Sequence, residues 1–288
     1  MSRFLDGCRE YLKEHPSPFT RTSEIRGENE PETLELSPAN RCVNVYSVAK
    51  TFTMTALGLL FDRGLFDPSE YVCDILAEEI PKQGMDERWR LTTGDMALRH
   101  EIGLNSGFLD IDCYDTLSFT EDYLNYMMTF PLAYTPGTDR LYTDGAFYLL
   151  ARIAEKRAGM PMEKFLWQEL FGKLGFREAA FSHDPRGHAI GATGLYIHSS
   201  AMAKLGAVYL HGGCYHGERI LSEKWTKLAV DRSYALDSDS AHTCYGKGGM
   251  HGQRLFVIPG QDRVLAIQSL DGDCGLVCDW AMKVGYDL

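Results

Sequence analysis

Apolar side chains recur at helical spacing in several parts of the chain. In NVYSVAKTFTMTALGLL, residues 44 to 60, Phe52, Ala56, Leu59 and Leu60 occupy one face of a helix that we expect to end at Gly64. Asp144 and Ser222 stand where helices would begin, so each is a candidate N-cap. The pattern predicts helices over Arg3 to Glu14, Ser47 to Arg63, Ala146 to Lys156, Met162 to Leu170, Ser200 to Leu210, Ser222 to Val230 and Leu276 to Val284.

Strand character is concentrated near the end of the chain. RLFVIPG and RVLAIQSL are apolar and β-branched, and the turn-rich residues between them predict an antiparallel hairpin over Arg254 to Gly260 and Arg263 to Leu270. Residues 16 to 40 show no strong apolar hairpin. The acidic stretch Glu24 to Glu35 is expected to form a solvated loop.

The elements divide the chain into two parts. Residues 67 to 187 contain helices and loops with few strand signals, and the flanking segments supply the strands. We therefore expect a discontinuous α/β domain, residues 1–66 plus 188–288, with an inserted helical domain, residues 67–187. Functional sites tend to lie in the cleft between two such domains.

Composition excludes several classes of function. The 288 residues include 44% hydrophobic and 24% charged residues, as is usual for a globular protein, and the formal net charge is −11. That charge disfavours binding to nucleic acids or to anionic membranes. There is no apolar run long enough for a membrane span, and the charged N-terminus does not resemble a signal peptide, so the expected location is cytoplasmic.

The cysteines and histidines do not indicate a metal site. Eight cysteines without CxxC spacing are expected to be reduced thiols. His211, Cys214 and His216 look like metal ligands, but they lie in a glycine-rich turn without a second ligand pair. GLNSG is one position off the GxSxG pattern of α/β-hydrolases and follows no strand. No metal and no organic cofactor is therefore expected.

Ser47 and Lys50 form the first chemical candidate. Their spacing places both side chains on one face at the start of a helix, one turn apart. The helix N-terminus would stabilise negative charge at Ser47 Oγ. A lysine drawn into a partly dry cleft can have its pKa lowered and can accept the serine proton. The alternative is a capping serine followed by a surface lysine, because SxxK occurs often by chance.

Two further segments strengthen the catalytic interpretation. Tyr142 lies in PGTDRLYTDGAF, just before a helix, and Lys247 lies in YGKGGMHGQRLFVIPG, which leads into the predicted hairpin. Together with Ser47 and Lys50, in this order, they resemble the SxxK serine hydrolases, a superfamily of class C β-lactamases, penicillin-binding proteins and family VIII-like carboxylesterases. MALRHEIGLNSGF and LHGGCYHGERILSEKW extend the resemblance, which runs from about Arg41 to Leu270.

The resemblance implies a β-lactamase-like α/β fold, in which helices flank an antiparallel sheet and a mainly helical domain is inserted. It also implies roles for particular residues. Ser47 would be the nucleophile, Lys50 its activating partner and Tyr142 a second proton-transfer group. The backbone N–H groups of Ser47 and Met250 would form the oxyanion hole. The residues that would contact the substrate are Asp144, Lys247, Gly248, Gly249 and His251. Each role has an alternative: Tyr142 could be a core tyrosine, Lys247 a solvated loop lysine, and His251 a histidine that makes only a local hydrogen bond.

Two positions depart from the family pattern. Asp144 stands where the lactamase branch usually has asparagine, and a carboxylate there would raise the pKa of Lys50 and shift proton transfer toward Tyr142. Gly248 replaces the usual threonine or serine, which removes a hydroxyl for a substrate carboxylate. Residues 16 to 40 also lack the strong apolar hairpin that the family pattern has ahead of the nucleophile helix, so the resemblance implies a sheet trimmed at that edge.

The sequence thus predicts a serine hydrolase that forms an acyl-enzyme on a small ester or amide. A β-lactamase or D-alanyl peptidase, acting on a lactam or peptide, is the alternative within the enzyme class. A relative that has lost catalysis and serves as a binding or scaffold protein is the alternative outside it.

Overall fold

The computed structural model describes residues 1–112, 119–241 and 243–284. Within these ranges, no helix is both long enough and apolar enough to cross a membrane. The helices are α1 (Arg3–Glu14), α2 (Ala49–Asp62), α3 (Val72–Ile75), α4 (Gly94–Leu98), α5 (Tyr123–Thr129), α6 (Asp144–Ala158), α7 (Met162–Leu166), α8 (Ser199–Leu210), α9 (Glu223–Asp231) and α10 (Cys274–Val284). The strands are β1 (Phe19–Arg26), β2 (Glu32–Glu35), β3 (Val43–Asn44), β4 (Ala180–Phe181), β5 (Leu195–Ile197), β6 (Cys214–Tyr215), β7 (Glu218–Arg219), β8 (Asp237–Ser238), β9 (Tyr245–Gly249), β10 (Gln253–Ile258) and β11 (Arg263–Ser269).

Six strands form one antiparallel sheet in the order β2-β1-β11-β10-β9-β8. The predicted hairpin is confirmed as β10 and β11, with Leu255 opposite Ala266 and Phe256 opposite Leu265. Successive side chains of a strand point to opposite faces, so this register gives the sheet two apolar faces. The short strands β3 and β5 pair with each other separately.

Each face of the six-stranded sheet is covered by helices. Phe256 and Leu265 belong to a buried cluster with residues of α1 and α10. On the opposite face, α8 approaches the sheet so closely that a side chain at Gly206 would collide with Val264 and Leu255. Burial of both faces accounts for the nearly continuous apolar character of β10 and β11.

The edge of the sheet is not trimmed, which corrects the expectation for residues 16 to 40. β1 is buried along almost its whole length although it reads FTRTSEIR. Its buried charges are paired, because Glu24 forms an ion pair with Arg263 Nε at 2.8 Å and Arg21 Nε lies 2.8 Å from Glu35. Glu24 to Glu35 is therefore not a solvated loop: it runs from the buried end of β1 to the edge strand β2.

Helix α2 is buried on every side rather than on one face. Every residue from Ala49 to Leu60 is buried, and α2 packs against α6. Thr53 Oγ1 donates to the carbonyl of Gly191 at 2.8 Å, and Thr55 Oγ1 donates to that of Thr51 at 2.6 Å. These hydrogen bonds satisfy the hydroxyls, so threonines can occupy the buried faces that the pattern left polar.

Two compact units divide the chain. One comprises Met1–Val48, Phe171–Ala180 and Leu195–Leu288, and the other Ala49–Leu170 and Phe181–Gly194. The predicted division is an α/β domain of residues 1–66 plus 188–288 and a helical domain of residues 67–187. The observed bounds differ chiefly because α2 belongs to the second unit.

The helix starts also differ in detail from the predictions. Thr143, not Asp144, caps α6, and its Oγ1 accepts from Gly145 N at 3.2 Å. Ser222 caps α9 as predicted, since its Oγ accepts from Trp225 N at 3.0 Å. Gly159 ends α6 in the left-handed conformation that favours glycine.

Candidate active site

Ser47 lies in a tight turn immediately before α2. The 3₁₀ turn Tyr46–Val48 follows β3 and runs directly into the helix. Tyr46 has a φ of 49°, which non-glycine residues rarely adopt, and its N–H donates to Asn44 Oδ1 at 2.8 Å. Local backbone strain of this kind persists only where surrounding contacts hold it, and it is frequent at active sites. The turn thus fixes the backbone that carries Ser47.

The end of β9 lies against the same turn. A side chain at Gly249 would collide with the carbonyl oxygen of Val45, so only glycine allows this close approach. Met250 follows directly in the 3₁₀ turn Met250–Gly252. The two predicted oxyanion donors, the N–H groups of Ser47 and Met250, therefore belong to backbone segments of one compact unit.

Lys50, in the first turn of α2, is fully buried. Its Nζ donates to Asp144 Oδ1 at 2.6 Å and to the carbonyl oxygen of Ala192 at 2.9 Å. Burial would lower the pKa of Lys50, but the charge of Asp144 and hydrogen bonds to Asp144 and Tyr142 raise it, and the net direction is upward. Lys50 is therefore an ammonium at neutral pH, as the departure at Asp144 predicted, and the idea of a lowered lysine pKa is corrected.

Tyr142 lies beside this ammonium. Lys50 Nζ is 4.8 Å from the centre of the Tyr142 ring, and Tyr142 keeps 39% of its surface exposed. The carbonyl of Tyr142 accepts hydrogen bonds from Gly107 N at 2.8 Å and from Ser106 Oγ at 3.1 Å. The GLNSG segment thus supports the tyrosine loop, so Tyr142 is a partly accessible group rather than a core tyrosine.

His100 is a functional candidate that sequence reasoning missed. Its backbone carbonyl accepts from Leu141 N at 2.9 Å, and its Nδ1 lies 3.3 Å from Thr143 N, so it contacts the chain on both sides of Tyr142. Its ring stacks obliquely on Tyr142 with 4.4 Å between ring centres. The signal was available, because His100 lies within the MALRHEIGLNSGF segment that carried the resemblance.

Asp144 lies in a group of three carboxylates. One oxygen each of Asp110, Asp112 and Asp144 lie within 4.8 Å of one another, and among the described residues this is the group that could hold a metal ion. The pKa of Asp112 is raised, first by burial and then by the charges of Asp144 and Asp110. The hydrogen bond with Thr193 and the charge of Lys50 act in the opposite direction but are outweighed. Lys50 already supplies a cation to Asp144 at 2.6 Å.

The predicted substrate-contact residues of β9 and its following turn occupy different environments. Lys247 is buried and ion-paired with Asp237 at 2.9 Å, so it is not a solvated loop lysine. A side chain at Gly248 would meet only the end of the Arg254 side chain, at 3.3 Å. His251 has a φ of 59°, and its ring centre lies 5.2 Å from that of Tyr46.

The histidines near Cys214 pair with carboxylates. His211 Nε2 lies 2.9 Å from Asp262, and His216 Nε2 lies 3.3 Å from Glu30. Among the described residues, these side chains do not form a group with the spacing of metal ligands. The seven cysteines outside the undescribed segments are free thiols, and Cys113 lies outside the described residues.

Comparison with known proteins identifies the family. The Beta-lactamase family model matches residues 33–271, so the chain belongs to this family. A β-lactamase of Pseudomonas fluorescens is 27% identical over 148 residues, covering 50% of this chain and 37% of that protein. A 6-aminohexanoate-dimer hydrolase of Paenarthrobacter ureafaciens is 24% identical over 252 residues, covering 76% of this chain and 64% of that protein.

The fold agrees with this assignment. The structure of EstCE1, described as a hydrolase with promiscuous acyltransferase activity, superposes with a TM-score of 0.73 at 13% identity, covering 98% of this chain and 97% of that one. The antiparallel sheet with its helices is thus a β-lactamase-like fold, as predicted. The chain spans 37% and 64% of the lengths of the two curated relatives.

Proposed function

We propose that this protein is a serine hydrolase that works through an acyl-enzyme on Ser47, with a small ester or amide as substrate. One observation carries the proposal: a fully buried ammonium, Lys50, lies next to Tyr142 and three residues after a serine on a constrained turn. A buried charge costs several kcal/mol unless it is paired, so such an arrangement indicates a use for the charge.

The protonation states suggest how the proton moves. Lys50 remains an ammonium, so in this proposal Tyr142 Oη, not Lys50, accepts the Ser47 proton as Oγ attacks the carbonyl carbon. The Lys50 ammonium, 4.8 Å from the centre of the Tyr142 ring, compensates negative charge that develops around this oxygen during the transfer. Tyr142 then donates the same proton to the leaving alkoxide or amine, and the N–H groups of Ser47 and Met250 hold the oxyanion. Deacylation repeats the sequence with water as the nucleophile.

Asp144 and the Lys247-Gly248 motif favour an ester over a lactam. Asp144 offers only acceptor oxygens when ionised, so it cannot donate a hydrogen bond to an amide carbonyl. Gly248 has no hydroxyl for a substrate carboxylate, and the ammonium of Lys247 already pairs with Asp237. A short ester requires only the nucleophile, the proton carrier and the oxyanion hole. The proposal also includes small amides, because the similar protein of Paenarthrobacter ureafaciens is named 6-aminohexanoate-dimer hydrolase.

A β-lactamase or D-alanyl peptidase is the second candidate, favoured by family membership and by the buried Lys247 in the expected motif. A purely binding or scaffold protein is disfavoured, because it would not need Ser47, Lys50 and Tyr142 together. We expect the site to be in use for catalysis.

Intact-mass spectrometry after incubation with a fluorophosphonate and, separately, with penicillin tests the proposal. We expect one phosphonyl adduct, which peptide mapping places on Ser47 and which Ser47→Ala abolishes. Ser106→Ala serves as the control and should keep the adduct. An adduct on Ser106, or none while a p-nitrophenyl ester is hydrolysed, would refute the assignment.

A further inference from the structure

A cavity lies beside the sheet, within the unit that contains β1 and α8. Its volume is about 380 Å³, in the range of small-molecule sites, and its walls come from the edge strand β2, residues 175 to 178 and the first turns of α8. None of the residues proposed for catalysis lines it. Its polar side chains include Arg41, Cys42, Arg177, Glu178, His198 and Lys204.

His198 lines this cavity and carries a buried donor. It caps α8, because its Nδ1 accepts from Ser200 N at 3.1 Å. An accepting Nδ1 places the proton of the neutral ring on Nε2. Nε2 is shielded from solvent and has no hydrogen-bond partner among the described residues. An unpaired buried donor costs about 1–3 kcal/mol, which an acceptor on a bound molecule would recover.

The ring of His198 is uncharged at neutral pH. Burial lowers the pKa of His198, and the charges of Arg21 and Arg41 lower it further, while Glu35 and Glu178 oppose them. The neutral ring therefore carries one N–H donor, on Nε2, and keeps its capping role on α8.

Three cations line the same cavity. Arg41 and Arg177 are exposed, and in the described part of the chain neither has a carboxylate within ion-pair distance. Lys204 Nζ donates to the carbonyl of Leu174 at 2.8 Å, a neutral partner that leaves its charge uncompensated. Uncompensated cations around one cavity are notable in a chain whose net charge is −11.

The carboxylates at the cavity do not cancel this charge. Glu35 is already bonded to the buried guanidinium of Arg21, with Nε at 2.8 Å. Glu178 accepts from the thiol of Cys42 at 3.4 Å, and burial, followed by that hydrogen bond and the charge of Glu178, raises the pKa of Cys42 to about 11. Cys42 thus remains a neutral donor to Glu178, and the cationic groups outnumber the acidic ones.

We propose that this cavity binds a small anion of the carboxylate or phosphate type. An oxygen of the anion pairs with Lys204 and, once a small side-chain shift opens Nε2 to the cavity, accepts from His198 Nε2–H. The exposed Arg41 and Arg177 close on the anion from the solvent side. Charge-assisted hydrogen bonds of this kind are the strong ones in proteins, and the planar arginine side chains suit both oxyanions. The site does not depend on the proposed hydrolase activity.

Isothermal titration calorimetry of the full chain at low ionic strength tests the site, with inorganic phosphate and succinate as separate probes. We expect saturable binding of at least one of them with one site per chain. The double variant Arg41→Gln, Arg177→Gln should weaken it at least about tenfold. The control pair Arg9→Gln, Arg90→Gln removes two exposed arginines elsewhere and should leave the Kd within about twofold.

A second variant separates binding from folding. His198→Asn keeps a capping side chain for α8 but removes the deep donor, so the melting temperature should stay close to that of the parent while the anion Kd rises. Ser47→Ala should bind the anion as the parent does. The proposal is overturned if neither anion binds, if both arginine pairs have the same effect, or if putrescine binds instead.

Discussion

At the scale of single residues, Lys50 is the most informative position. An isolated ammonium without solvent would be strongly destabilising, yet here Asp144 and the Ala192 carbonyl satisfy two of its three N–H groups. The pairing holds Lys50 in its charged form, which makes it an electrostatic partner for Tyr142 rather than a free base. Two predictions follow from this pair.

Lys50 and Tyr142 are expected to act as one unit in proton transfer. Tyr142→Phe and Lys50→Met should each lower kcat for an ester by at least about 10²-fold, as is usual for loss of a general acid–base group. The double variant should be barely slower than either single variant, because groups that act together are not additive. Steady-state kinetics with all three variants provides the measurement, and multiplication of the two losses would show independent roles.

Asp144 is expected to keep Lys50 charged, and this makes the free energy of unfolding depend on pH in a direction that can be stated. In the parent the pKa of Lys50 is raised on folding, so its contribution to stability is complete below its unfolded pKa, about 10.4, and is lost as pH rises through the folded pKa. In Asp144→Asn burial dominates and lowers this pKa. The variant should lose about 3–5 kcal/mol at neutral pH, and the difference from the parent should shrink toward alkaline pH.

Urea unfolding at several pH values measures this effect. Asp74→Asn, which removes an exposed carboxylate from the first turn of α3, is the matched control and should change stability by less than about 1 kcal/mol. A constant difference between Asp144→Asn and the parent from neutral to alkaline pH would contradict the electrostatic explanation.

At the scale of elements, β1 shows how a polar strand can occupy the interior of a sheet. Ser23 lies 2.7 Å from Ser199 and 2.8 Å from Thr33 through side-chain oxygens, and Glu24 pairs with Arg263 of β11. Burial raises the pKa of Glu24, against the hydrogen bond from Ser2 and the charge of Arg263. Partners on neighbouring strands, on α8 and near the N-terminus thus replace water for most buried polar side chains of β1.

Removal of one member of the Glu24–Arg263 pair should be costly. Arg263→Met leaves Glu24 buried without its cation, and we expect a loss of about 3–5 kcal/mol in the free energy of unfolding. The double variant with Glu24→Leu should recover part of this loss, because two apolar side chains leave no buried charge. Urea denaturation measures both.

The exposed pair Lys227–Asp231 on α9 provides the control, since its loss through Lys227→Met should cost less than about 1 kcal/mol. Acidification should reduce the defect of Arg263→Met, because Glu24 can then become neutral. If the double variant is less stable than Arg263→Met, the buried pair is not the cause of the defect.

At the scale of the whole molecule, the proposed substrate preference rests on positions far apart in the chain. Asp144 would offer no donor to an amide carbonyl, Gly248 has no hydroxyl, and Lys247 pairs with Asp237. We expect kcat/KM for a short p-nitrophenyl ester to exceed that for nitrocefin by at least about 10²-fold, equivalent to about 2.7 kcal/mol of transition-state stabilisation.

The double variant Asp144→Asn, Gly248→Thr should lower the ratio of kcat/KM for the ester to kcat/KM for nitrocefin. Both values are measured on folded enzyme. The threonine side chain meets only the end of the flexible Arg254 side chain, so the backbone can remain unchanged. Gly249→Thr is the contrasting variant, because its side chain would collide with the Val45 carbonyl and should reduce activity on both substrates. If nitrocefin is the better substrate of the parent, the lactamase alternative replaces the ester proposal.

The sequence by itself determined the features that depend on neighbouring residues. Periodicity predicted α1 from Arg3 to Glu14 and the hairpin of β10 and β11, because helix and strand spacing is a local property. The order of Ser47, Lys50, Tyr142 and Lys247 indicated the family, and the family match confirms it. The roles of these residues remain predictions.

Only the tertiary structure decided which polar residues are buried and with which partners. Lys50 and Asp144 are 94 positions apart, and the partner of Glu24 is on β11 near the other end of the chain. The sequence of β1 reads as a solvated segment, because its polar groups acquire partners only when the sheet assembles. For the same reason α2 was predicted to have one apolar face, whereas long-range hydrogen bonds such as that of Thr53 to Gly191 allow its polar faces to be buried as well.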